Sequence, residues 1–227
     1  MFYLSIDVAN KSLAISFIKY IKLKHLKILS NETTNTVTGI GITQTTKLKT
    51  LMNFNKELNE SISYYICEVI DLIPNKKVRN TSQLERTSAL KAYLQQLQTK
   101  LNDYIDKFNI TKIKVLVELQ PSFNDKSRAA FNQIIYEFSN LPIFKIKIMN
   151  ASYKNTISLN KNLTHSNFIK KYSNNYLANK NHTKENFLYF LKSFNLLHLI
   201  KNIKKKNYDD IADSFMQMMA YIYILEK

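Results

Sequence analysis

Apolar residues crowd the start of the chain into two runs, "FYLSIDVA" and "SLAISFIKYIKL", rich in β-branched and aromatic side chains and parted by a polar break from Asn10 to Ser12. Runs of this length and type read as strands, and the break between them predicts a tight turn and an antiparallel pair. From about Lys24 to Ser63 the pattern loosens through "SNETTNTVTGIGITQTTKLKT" and "NFNKELNES", which hold Gly39 and Gly41, the only two glycines. That stretch predicts an insertion or an extended hairpin. "YYICEVIDLI" restores a strand pattern that stops at Pro74. From Thr81 to about Phe108, Leu84, Leu90, Leu94, Leu97, Leu101 and Ile105 recur near helical spacing, and Ser82 with Glu85 has the form of a capping box.

"TKIKVLVE" alternates as a strand and is ended by Pro121, "KSRAAFNQIIYEFSN" has helical spacing, and "PIFKIKIM" is another strand. Ser152 to Asn181 reads as a polar, Lys/Asn-rich connection. "KENFLYFLKSFNLLHLI" predicts a helix with Phe187, Phe190, Leu191, Phe194 and Leu197 on its apolar side. A last helix from about Tyr208 turns Ile211, Phe215, Met218, Met219 and Ile222 inward. Strands followed by alternating helices and strands predict an α/β chain, one domain over 1–227 with the insertion at about 24–63, built on a mixed sheet with helices on its faces.

Composition narrows the function. The 227 residues carry 33 Lys+Arg against 17 Asp+Glu, a formal net charge of +16. That balance points to a polyanionic partner, nucleic acid first. An AT-rich genome also enriches Lys and Asn, so the charge supports such a partner without identifying it. Cys67 is the only cysteine and His25, His165, His182 and His198 make no zinc spacing with it, which leaves neither an internal disulfide nor a Cys/His metal centre. A reducing, cytoplasmic setting is the expectation, with no membrane span and no secretory signal in the opening residues.

Against this basic background the acids stand out. Asp7 interrupts an otherwise apolar strand, and a buried ionised carboxylate costs several kcal/mol unless cations or donors compensate it. Glu118 ends "VLVE", at the strand end where sites in α/β sheets gather. Asp209, Asp210 and Asp213 open the last helix directly after "IKNIKKK", and Asp210 and Asp213, three apart, project from one face. Each has a plain alternative: a turn residue for Asp7, a solvated strand end for Glu118, a helix cap for Asp209 or Asp210. Taken jointly, four carboxylates on two strands and a helix start can converge on hard divalent cations, Mg²⁺ or Mn²⁺. Two such ions about 4 Å apart suit phosphodiester cleavage.

Three stretches, "SIDVANKSLA", "VLVELQP" and "KKNYDDIADSF", resemble the motifs of the poxvirus-type Holliday junction resolvases, relatives of the bacterial RuvC and fungal mitochondrial resolvases in the RNase H-like superfamily. The order and wide spacing fit across the chain apart from the 24–63 insertion. Ala9 stands where the family usually has glycine, and Asn10 where an apolar residue is common. The resemblance implies an RNase H-like five-stranded mixed sheet flanked by helices, metal-binding catalytic roles for Asp7, Glu118, Asp210 and Asp213, and an accessory or capping role for Asp209. It places Lys11 at the basic position after the first Asp and Gln120 after the Glu, and makes Lys180 and Lys184 candidates for contact with a nucleic-acid backbone. Lys204, Lys205 and Lys206 beside the acids, and Lys126 and Arg128 after Pro121, are further candidates.

The activity so implied is resolution of four-way DNA junctions by metal-activated hydrolysis. Two paired cuts in a substrate of approximate two-fold symmetry call for a homodimer, with the helices at 124 to 140 and 184 to 199 as possible contact faces. Three alternatives stay open: a nuclease of the same superfamily acting on flaps or RNA/DNA hybrids, a binding protein that keeps the fold without cleavage, and a basic packaging protein. Substrate competition separates the first, the presence of all four acids speaks against the second, and the third gives no account of acids inside strands. A first strand beginning by Phe2 favours a viral protein of host cytoplasm over an organellar one.

Overall fold

The computed structural model describes residues 1–8, 12–21, 35–38, 41–44, 49–50, 62–74, 81–119 and 125–225. The chain enters on β1 (Phe2–Val8) and returns antiparallel as β2 (Ser12–Tyr20), in a register that sets Asp7 against Ala14. Within the 24–63 stretch, β3 (Asn35–Thr38) and β4 (Gly41–Gln44) pair antiparallel and β5 is Lys49–Thr50. Then come β6 (Ile62–Asp71), α1 (Gln83–Phe108), β7 (Ile113–Glu118), α2 (Asp125–Ser139) and β8 (Phe144–Met149). After a 3₁₀ turn at Ala151–Thr156 follow β9 (Ile157–Ser158), paired with β5, then α3 (His165–Lys171), α4 (Asn175–Ser193) and α5 (Tyr208–Ala220).

The main sheet has the order β6-β2-β1-β7-β8, antiparallel from β6 to β1 and parallel from β1 to β8. This is an α/β fold built on the mixed five-stranded sheet expected from the sequence. All seven residues of β1 are buried, because the central strand is covered on both sides. The two-residue side-chain period divides them. Leu4 and Ile6 join Val115, Val117, Leu90, Leu94, Leu97 and Phe138 under α1 and α2, while Tyr3 joins Leu116, Met149, Phe187 and Phe215 under α4 and α5. Asp7, in phase with Tyr3, therefore faces the α4 and α5 layer.

Helix α1 begins at the predicted capping box: Glu85 N–H donates to Ser82 Oγ at 3.1 Å and Ser82 N–H to Glu85 Oε2 at 2.9 Å. It ends at Asn109, left-handed at φ 48°, a conformation asparagine tolerates. Three expectations need correction. Leu84 is exposed and Arg86 takes the buried place one turn before Leu90, because the buried stripe starts two residues later than the leucine spacing suggests. The Ser152 to Asn181 segment is not an unstructured connection; it holds β9, α3 and the first turns of α4. That helix starts at Asn175, where Asn174 Oδ1 accepts from Tyr176 N–H, nine residues before Lys184. It stops by Phe194, since Asn195 is left-handed at φ 55°, so Leu197 lies in a separate 3₁₀ turn and is exposed. Among the described residues no helix is long and apolar enough to cross a membrane.

Candidate active site

The parallel pairing of β1 with β7 runs to Ile6 opposite Val117, so the next step of the two strands sets Asp7 beside Glu118 on the same sheet face. Adjacent strands lie about 4.8 Å apart. Two carboxylates held that close and shielded from water repel each other, and the fold answers with cations. β8 pairs Met149 with Glu118 and then turns at the 3₁₀ segment, whose entry is capped by Asn150 Oδ1 accepting from Ser152 N–H. That turn delivers Lys154, whose Nζ donates to Glu118 Oε2 and to Asp213 Oδ2, both at 2.9 Å.

Asp213 comes from α5, which is seated on the central strand by Ser214 Oγ donating to the Ser5 carbonyl at 3.0 Å. The α4 helix supplies its other partners. Lys180 Nζ donates to Oδ2 at 2.8 Å and Thr183 Oγ1 to Oδ1 at 2.8 Å, three residues apart and so on one face of the helix. Both oxygens of Asp213 are thus engaged. Asp210, one turn earlier, accepts from Ser12 Oγ at 2.6 Å and is half-exposed, and Asp209 pairs with Lys184 at 3.2 Å.

The charges in the buried corner do not balance: Asp7, Glu118 and Asp213 face Lys154 and Lys180. Burial, reinforced by Glu118 and Asp213 and only partly opposed by Lys154 and Lys180, pushes the Asp7 carboxyl up to about 8. Burial also works against the ammonium of Lys154, but Asp213, Asp7 and Glu118 outweigh it and hold Lys154 firmly protonated. Lys180 is raised in the same way, with Asp213 its main partner. For Asp213 burial is again the largest influence, yet the charges and hydrogen bonds of Lys154 and Lys180 together hold it below the usual carboxylate range.

The donor set is all oxygen and, once Asp7 gives up its proton, carries one surplus negative charge, the composition that a hard divalent cation takes. Among the described residues no three Asp, Glu, His or Cys side chains are grouped to hold one ion by themselves; Glu118 and Asp213 converge on Lys154 Nζ instead. That convergence point is a cation position already built into the corner.

Of the residues singled out in the sequence, Asp7, Glu118 and Asp213 meet here, with Asp210 one helical turn away. Lys180 bonds Asp213 and Lys184 pairs with Asp209. Lys204, Lys205 and Lys206 are exposed immediately before α5. Arg128 is exposed at the start of α2, paired with Asp125 at 2.7 Å. Lys11, Gln120 and the Lys126 side chain lie outside the described residues. Lys154, Thr183 and Ser12 escaped the sequence reading: each is an ordinary polar residue whose role comes only from the register that brings it to an acid. Burial pushes the Cys67 thiol up to about 12, away from the thiolate form.

No protein-family model and no curated protein matches the chain. Among solved structures it is similar to the Fowlpox virus resolvase in complex with substrate Holliday junction DNA, at 14% identity and TM-score 0.49 with 100% of both chains covered. It is also similar to Thermus thermophilus RuvC, at 10% identity and TM-score 0.48 over 98% of this chain and 95% of that one, and to the same protein in complex with a Holliday junction substrate, at TM-score 0.47.

Proposed function

We propose that this chain is a structure-selective DNA endonuclease that resolves four-way junctions by divalent-metal-dependent phosphodiester hydrolysis, making paired symmetric nicks as a homodimer. The observation that carries the reading is the convergence of Glu118 and Asp213 on Lys154 at the carboxyl end of the central strands, with Asp7 set beside Glu118 by the strand register. A formal charge of +16 supports a polyphosphate substrate, and the three motifs support a branched one. Selectivity for shape over sequence follows from contacts made mainly to backbone.

Asp7, Glu118, Asp210 and Asp213 would hold Mg²⁺, or Mn²⁺ in its place, with two ions per site. When bound, such ions supply an activated water and charge for the leaving oxygen. The chain's own groups do the rest. Asp7 keeps its proton up to about pH 8 in the metal-free corner and yields it when positive charge arrives, so loading is coupled to proton release. Thr183 fixes the Asp213 carboxylate in one orientation through Oδ1. Lys154 and Lys180 bring two ammonium groups to the acids, where a phosphate's non-bridging oxygens compete for them. Lys204, Lys205 and Lys206, with Lys11, Gln120, Lys126 and Arg128, are assigned to the strands on either side, and Lys184 to the outer edge.

The test is cleavage of a four-way junction, linear duplex, flap and RNA/DNA hybrid, with and without Mg²⁺, by the wild type, Asp210→Asn and Asp213→Asn. Paired nicks confined to the junction, dependent on Mg²⁺ and lost in both variants with junction binding retained, are expected. Preferential cutting of flap or hybrid would reassign the substrate. Absence of cleavage with Mg²⁺ or Mn²⁺, or full activity in Asp213→Asn, would overturn the reading.

A further inference from the structure

A second cationic surface lies away from the acids, on the sheet itself. In the parallel register of β7 and β8, Lys114 stands opposite Lys145 and Leu116 opposite Lys147. Lys114, Leu116 and Glu118 share one face by the two-residue period, the face on which Leu116 and Met149 meet α4 and α5. Lys145 and Lys147 stand on that same face but at its outer margin, on the edge strand, and both are exposed. Among the described residues neither forms an ion pair. Lys112, just before β7, is exposed beside them.

Like charges directly opposite across a ladder destabilise a sheet. After burial, the largest influence holding the Lys114 ammonium below its ordinary value is Lys112, then Lys147. Lysines on an edge strand have a plain use, since they block pairing with another sheet. That use accounts for Lys145 and Lys147 but not for Lys114 on the inner strand, whose Nζ lies 5.8 Å from the Tyr3 ring centroid and 5.5 Å from that of Tyr221. The two rings hold its amine over the same face as the edge lysines.

We propose that Lys112, Lys114, Lys145 and Lys147 form a phosphate track along which the backbone of bound DNA lies on its way to the site. Lys114 is four residues from Glu118 on one strand, about 13 Å, and Lys147, across the ladder opposite Leu116, is about 8 Å away. The direction of the track toward Glu118 rests on the nuclease reading, whereas its capture of a polyanion does not.

The test is fluorescence anisotropy of a labelled linear duplex and a four-way junction over a series of salt concentrations. Lys145→Gln/Lys147→Gln is compared with Lys91→Gln/Lys107→Gln, an equal loss of charge from α1 on the opposite sheet face. For the duplex, the slope of log affinity against log salt should fall by about 0.9 per lost contact, close to two for the track variant. It should hold in the α1 variant and return in Lys145→Arg/Lys147→Arg. Circular dichroism melts check that every variant is folded. Equal slopes in the two Gln variants overturn the track. If the wild type cuts junctions while the track variant keeps its full slope, the track falls and the nuclease reading stands. If the wild type cuts nothing while the track variant loses its duplex slope, the reverse holds. Absence of binding by the wild type overturns the track as well.

Discussion

Replacing Asp7 by Asn should make the metal-free protein more stable while abolishing the proposed cleavage, and the gain should depend on pH in a predictable way. The unfolded chain releases the Asp7 proton near the ordinary 3.8, the folded chain near 8. The folded state therefore binds this proton more tightly. The sign follows: the contribution of Asp7 to stability is complete below about pH 4 and is lost as pH rises from there to about 8. At 1.36 kcal/mol per pH unit, the loss has a ceiling of about 5 to 6 kcal/mol, of which about 4 is reached at pH 7. Reorganisation of solvent and of Lys154 around the ionised group recovers part of it, leaving about 1 to 3 kcal/mol for an isosteric neutral amide to restore.

For a domain of this size each kcal/mol moves Tm by roughly 2 to 4 °C, so Asp7→Asn should melt about 2 to 12 °C higher at pH 8. The assay is thermal melting of both proteins in chelator from pH 4 to 9, read as the difference between the curves so that other titrating groups cancel. That difference should be near zero at pH 4, grow through neutrality and level off above pH 8. Added Mg²⁺ should then raise the wild-type Tm at pH 8 more than that of the variant, since only the wild type has the surplus charge to neutralise. A difference curve flat with pH, or a variant less stable at pH 8, would refute the reasoning.

The remaining outcomes turn on other members of the same corner. Lys154→Met removes the cation shared by Glu118 and Asp213 and should cost about 3 to 5 kcal/mol, seen in denaturant melts and partly regained in the double variant with Asp7→Asn, because the two changes act on one charge balance. His182 is buried against Ser158, Nε2 to Oγ 3.2 Å, and burial followed by the charge of His165 lowers it to about 3. Its folded pKa lies below the unfolded one, so its contribution is complete above about pH 6.5 and is lost as pH falls toward 3. His182→Gln should flatten that acid limb of the Tm profile, and an unchanged limb would place the acid sensitivity elsewhere.

The sheet and the acids could be read from sequence because each breaks a local pattern. "FYLSIDV" has the composition of a strand buried on both faces, and a carboxylate within it has no place unless something compensates, which is how Asp7 declared itself. Glu118 showed in the same way at the end of "VLVE". The compensating cations left no such mark. Lys154 is one lysine in the Asn- and Lys-rich stretch "MNASYKN", and only the pairing of Met149 with Glu118 across two parallel strands turns it onto the acids. Lys180 could be picked out as basic and near a motif, but its partner, Asp213, comes from α5, 33 positions later, and no local pattern encodes that meeting.

The start of α4 was hidden for a related reason, which ties the fold to the site. Hydrophobic periodicity finds a helix when its buried face is apolar, and between Ala178 and Asn186 α4 buries His182, Thr183 and Asn186. Those polar residues are where the helix is most fastened. Thr183 bonds Asp213, Asn186 accepts from Leu159 N–H at 2.6 Å and donates to the Leu163 carbonyl at 3.0 Å, and His182 meets Ser158. A buried polar group is tolerated only with its partners in place, so these bonds also fix α4 against α5, the β9 segment and the 3₁₀ turn at 161–163. The same helix face that carries Thr183 carries Lys180, and locking one locks the other's approach to Asp213. An apolar face would have declared the helix to the eye but held it only by packing, which tolerates small shifts. Here the register of α4 sets which oxygen of Asp213 is bonded to Thr183 and which is shared by the lysines, so the residues that obscure the helix in the sequence are those that orient the carboxylate.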